Sequence, residues 1–176
     1  MLFGVLYLVW GVAIGKVMRA VECDNDVLSQ LQVWGAGFTT LVLILPASLW
    51  LTAAFRPDVD PAILRTLYDA GWIFFDMAFS LTMLQLIPIG ICFLHDQRPT
   101  KLMPAWVAWF TIWVGSMFLV FVFLPFFMDG PFSRSGVLNF WVEFNIFFWV
   151  MIVLSIYVLR AITILEREHV EANRDL

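Results

Sequence analysis

The sequence predicts an all-α fold, a polytopic transmembrane bundle of about five helices, and three observations carry that reading. Of the 176 residues, 62% are hydrophobic and only 14% are charged. Soluble domains carry about a quarter charged residues and about half apolar ones. Five apolar runs reach the length needed to cross a hydrocarbon core, roughly 20 helical residues each. The polar stretches between them are short and rich in Pro, Gly, Asn and Asp, where a chain leaves a helix. Lipid leaves no partner for an open backbone, and these runs are too long and too uniformly apolar for barrel strands.

The first run covers about residues 1–17 and ends in Lys16 and Arg19, a membrane-edge anchor. It has no basic leader and no small-residue cleavage site, so a removable signal peptide is not expected. If a helix ahead of Met1 has been lost through a misplaced start, the total becomes six and every loop keeps its side. Gly4, Gly11 and Gly15 lie near one face of this helix, a surface that lets another helix approach closely.

The second run, residues 33–55, leads into Asp60-Pro61, an N-cap followed by proline at the first helical position. Ile63, Leu64 and Leu67 then face one way while Arg65 and Asp69 face another. This predicts a short interfacial helix between spans two and three, turning into the third span near Gly71-Trp72. The remaining runs cover residues 70–94, 104–128 and 138–162. Pro46, Pro88 and Pro125 fall inside spans and should kink them. The spans form one domain, residues 1–162, followed by a charged helical tail, residues 163–176, in which Glu171 and Arg174 sit at pairing distance.

Lys and Arg set the expected orientation. Seven lie on the side holding Lys16, Arg19, Arg98, Lys101 and the C-terminal segment, against three on the other. The positive-inside rule places the C-terminus in the cytoplasm.

Other function classes find little support. The net charge is −4 and the basic residues are scattered, which argues against nucleic acid. Cys23 and Cys92 form neither a CxxC pair nor a Cys/His cluster. Neither His95 nor His169 lies within a span, so a bis-histidine haem or a histidine-rich di-iron centre is not expected. His95-Asp96 is too small a set for a metal site. The acidic runs Glu22, Asp24, Asp26 and Asp58, Asp60 lack the glycine and distal glutamate of a calcium loop. With no nucleotide or serine-hydrolase motif either, no metal or cofactor is expected.

Three polar side chains interrupt the apolar spans and are the candidate ligand or proton site: Asp76, Glu143 and Asn145. Gln85 lies deeper in the third span. Asp76 and Glu143 each lie about six residues inside a span entered from the outer face, roughly 9 Å deep at 1.5 Å per residue. Charged carboxylates in hydrocarbon cost several kcal/mol, so such groups are paired, neutral or functional. The structural alternative is that each is neutral and hydrogen-bonded to a neighbouring helix. If spans three and five are neighbours, the two carboxyls should approach each other or share a donor. Asn139, one turn before Glu143, is placed to help solvate it.

The pattern RP-x-x-DP at Arg56–Pro61, Gly71-Trp72, and GPF-x-x-x-G-x-x-x-FW from Gly130 to Trp141 resembles an uncharacterised family of bacterial multi-span membrane proteins. The resemblance covers about residues 30–160. It implies a helical bundle in a bacterial inner membrane and no particular chemistry. The leading functional expectation is a non-enzymatic accessory or structural subunit, its partners being the bilayer and other membrane subunits or further copies of itself. The alternative is a small carrier or lipophilic-ligand binder using the intramembrane carboxylates, and a membrane-embedded enzyme stands third.

Overall fold

The structure, a computed structural model, describes residues 1–22, 26–56 and 58–174. Cys23, Asp24 and Pro57 lie outside the described residues. The elements in chain order are α1 (Leu2–Arg19), α2 (Val27–Phe55), α3 (Pro61–Met77), α4 (Phe79–Leu94) and α5 (Ala105–Met117). A 3-10 segment (Phe118–Phe126), a π-helical segment (Val137–Val142) and α6 (Glu143–Arg174) complete the chain. Among the described residues all regular structure is helical. Five helices are long and apolar enough to cross a membrane, α3 with α4 making one span of 34 residues and the π segment with α6 another of 38.

Two boundaries differ from the sequence expectation. α2 begins at Val27 rather than near residue 33. The Glu22 carboxylate accepts from the backbone N–H of Leu28 and Ser29, at 2.9 and 2.8 Å, and so caps the helix from outside. Ser29 and Gln32, which look like loop residues, are wholly buried on its inner face.

The second difference concerns the entry to the third span. Asp60 caps α3 as expected, accepting from Ala62 N–H at 2.7 Å. The helix then continues through Gly71-Trp72 and breaks only at Ala78. Gly71 is a close approach and not a hinge: a side chain there would collide with the indole of Trp50. That indole instead donates to the Tyr68 carbonyl at 3.3 Å. At 1.5 Å per residue, 34 residues reach roughly 50 Å, so the first turns of α3 project beyond a core about 30 Å thick.

α2 occupies the middle of the bundle and packs on α1, α3 and α4, while α5 covers the other side of α4. Gly4, Gly11 and Gly15 lie against α2, facing Ile44, Ala36 and Val33 respectively. The glycine face is therefore occupied within the chain. Ile14, Met18, Ile89, Phe93, Val107 and Leu154 fill the core toward Lys16 and His95, and Phe118, Phe121 and Leu124 of the 3-10 segment continue it toward the other end. At that end Asp96 accepts from Arg98 N–H and Leu102 N–H, both at 3.0 Å, and ties the α4–α5 loop. α6 runs unbroken into the tail, where Glu168 pairs with Arg98.

The opposite end is organised by aromatic rings. Gly130 takes a left-handed φ of +91°, open to glycine at no steric cost. The loop it starts folds back so that Leu138 N–H donates to the Pro131 carbonyl at 3.1 Å. Arg134 from this loop lies over Tyr68 and Trp72, at 5.1 and 5.7 Å from their ring centres.

Candidate functional site

Three departures from α-helical geometry fall toward the end of the bundle opposite Lys16 and His95. α3 ends one residue after Asp76, the 3-10 segment continues α5, and the π turn delivers Glu143 at the start of α6. Nine residues of 3-10 helix are unusual, because its hydrogen bonds are poorer than those of an α-helix, and π turns often mark functional sites. Pro125, near the end of the 3-10 segment, lacks an N–H and removes one helical hydrogen bond, whereas α2 and α4 run on as α-helices through Pro46 and Pro88. Irregular backbone at membrane depth is tolerated where protein buries it or where it lines a cavity.

A cavity of about 100 Å³ lies among these segments. Eight phenylalanines, Val42 and Leu43 form its apolar wall, and its polar lining consists of Thr39, Thr82, Asp76 and Glu143. Both acids are buried, at 4% and 1% exposure. Each side chain follows from its local structure. Asp76 sits in the last turn of α3, and Glu143 is where the π turn hands over to α6. Neighbouring residues hold the two segments together: Phe75 stacks on Phe144 with centres 5.7 Å apart and planes within 3°, and Trp72 meets Phe140 one turn earlier at 6.2 Å.

Both carboxyl oxygens of Glu143 are buried without a hydrogen-bond partner. Such a group costs the full loss of its hydration, so it needs an explanation. Beside it, the hydroxyls of Thr39 and Thr82 lie 3.5 Å apart across α2 and α4. The lining contains no Lys, Arg, His, Asn or Gln. Its polar groups are thus four carboxyl oxygens and two hydroxyls, a set that favours a ligand bringing its own donors.

The other candidates sit elsewhere. Asn145 is exposed and donates to the carbonyl of Trp141 in the preceding π turn at 2.6 Å, outside the cavity. Two residues beyond Glu143 is about 200° around an α-helix, so adjacency in sequence separates these side chains. Asn139 does not solvate Glu143; its amide donates to the carbonyls of Phe132 and Ser133 and closes the preceding loop. Gln85 is wholly buried nearer the core and accepts from the Tyr7 hydroxyl at 2.6 Å. Its amide nitrogen and the side-chain oxygen of Gln32 remain unpaired.

Thr39 and Thr82 were not singled out by the sequence. Threonine is common in apolar helices, and only the packing of α2 on α4 brings these two into the wall. Among the described residues no group of three or more His, Cys, Asp or Glu side chains converges on a metal position. The Cys92 thiol points to the Met18 carbonyl at 3.7 Å, inside the core.

No protein family, curated protein or solved structure compared with the chain matches it.

Proposed function

We propose that this chain is a multi-pass protein of a bacterial inner membrane that binds a small lipophilic ligand, the carboxyls of Asp76 and Glu143 holding the ligand's polar end. The observation that carries this reading is Glu143, 1% exposed with neither oxygen paired, on the wall of an apolar cavity. A carboxyl kept only for packing would be expected to have found a donor, since buried polar groups are generally hydrogen-bonded. The resemblance in the three motif segments supports the bacterial membrane.

Native mass spectrometry after gentle extraction tests the reading. The wild-type chain should carry a low-mass adduct, and Val42→Trp, which places an indole in the cavity wall, should lose it while remaining folded. An adduct unchanged in Val42→Trp would sink the proposal.

The second reading is an accessory subunit packed against partner membrane proteins or further copies of itself. Its support is the outer face of α5, where Trp106, Trp109 and Trp113 are spaced three and four apart and are 55%, 61% and 49% exposed. Indoles in a row along one helix suit a protein surface as well as lipid. Co-extraction of a stoichiometric partner protein, with no small adduct, would favour this reading.

In the proposed topology the C-terminal tail is cytoplasmic, following the seven-to-three asymmetry of basic residues. A reporter active only after export, fused behind Leu176, should be silent. Activity there would reverse the orientation.

A further inference from the structure

The cavity also says what kind of molecule fits it, and this step rests on the ligand-binding reading above. Of its lining residues, Phe3 on α1 and Phe148 on α6 also reach the molecular surface, at 47% and 52% exposure. Phe148 lies along a membrane-spanning segment, and Phe3 in the first turn of α1. An entrance beside these rings would face lipid, and a ligand using it would first dissolve in the bilayer. The interior is small, about 100 Å³. It accommodates a compact head and a few carbons, with the rest of the molecule left in the mouth and the surrounding lipid.

The head must supply hydrogen-bond donors, because Glu143 offers two unpaired acceptor oxygens and Asp76 lines the same wall. It must not be anionic. No cationic side chain lines the cavity; Arg134 lies outside it, over Tyr68 and Trp72 with Asp69 at 4.0 Å, within electrostatic reach of Asp76. Phosphate-bearing lipids and fatty acids are disfavoured on that ground. A positive charge is favoured twice, by the carboxyls and by the faces of the phenylalanine rings. A hydrated inorganic cation fits less well, since hard cations take six or more oxygen ligands and gain little from an aromatic wall.

We infer that the cavity takes the ammonium head of a single-chain lipophilic primary amine, drawn laterally from the bilayer between Phe3 and Phe148. The ammonium donates to Glu143 and Asp76. The first methylenes pack among the phenylalanines, and the chain trails into lipid.

The test uses the full-length protein in phosphatidylcholine nanodiscs, with radiolabelled dodecylamine as probe and empty nanodiscs as blank. Dodecylamine should bind saturably, at one per chain. Unlabelled dodecylamine should compete at least about tenfold better than dodecanol, dodecanoate or dodecyltrimethylammonium, which lack the charge, the correct sign or the N–H donors respectively; charge-assisted hydrogen bonds are of that strength. Sodium and calcium should not displace it. Glu143→Gln should weaken binding by a similar factor, with folding checked by circular dichroism. If that variant fails to fold, the competition series on the wild-type chain decides alone. Equal competition by dodecanol or dodecanoate would overturn the amine assignment and leave a ligand-binding cavity standing. Displacement by sodium or calcium would make the site one for an inorganic cation. Absence of saturable binding by any of the four chains would overturn the inference, while an adduct lost in Val42→Trp would still support a cavity ligand of another class.

Discussion

Gly35→Ala should destabilise the bundle by about 1–3 kcal/mol, the usual cost of forcing an extra carbon into a filled interior. Gly35 faces α4 so closely that a Cβ would lie 2.6 Å from the backbone nitrogen of Gln85 and 2.8 Å from its Cα. Backbone cannot turn aside as a side chain can, so the two central helices must separate. Separation would also disturb the Thr39–Thr82 contact on the same interface and, by shifting Gln85, the hydrogen bond it accepts from Tyr7 of α1. Gly37, two residues on, has nothing within 4 Å of its Cβ position. Gly37→Ala should therefore be neutral or stabilising by up to about 1 kcal/mol, the difference in helix propensity. Thermal unfolding of both variants in detergent micelles checks the pair, and equal effects would mean that α2 and α4 do not pack as described.

The second large effect concerns the two acids. Asp76→Lys should fold, because the new ammonium shares the cavity with Glu143 and can pair with it. Adding Glu143→Gln to that variant should cost about 3–5 kcal/mol, since it leaves a buried cation without a counter-charge. Unfolding the single and double variants in mixed micelles measures the difference. Equal stability would mean that the two side chains do not face each other.

Much of this architecture was legible in the sequence. Apolar length marked the spans, and Asp60-Pro61 marked the start of α3, because capping and proline geometry are local. The start of α2 was not legible. Ser29 and Gln32 read as loop in sequence, whereas the fold turns them inward and Glu22 supplies the cap from across the turn. Gly71-Trp72 suggested a bend, yet that glycine accommodates Trp50, a contact between helices that no local pattern reveals. The candidate site was half legible. Two acids at equal depth pointed to one location, and both line one cavity. Asn145 interrupts the same apolar span as Glu143, but helical geometry carries it to the outer surface. The meeting of Thr39 with Thr82, and of Phe3 with Phe148 around one cavity, arises only once the helices are assembled.

The central claim is that buried carboxyls lie in an apolar cavity open to lipid and closed to water. Modification with two carbodiimides, read by peptide mass spectrometry, tests it most directly. In native membranes the lipid-soluble dicyclohexylcarbodiimide should modify Glu143 or Asp76. The water-soluble reagent with an added amine should instead reach exposed acids such as Glu166 and Glu171. Modification of Glu143 and Asp76 by the water-soluble reagent, or by neither while the exposed acids react, would contradict the account.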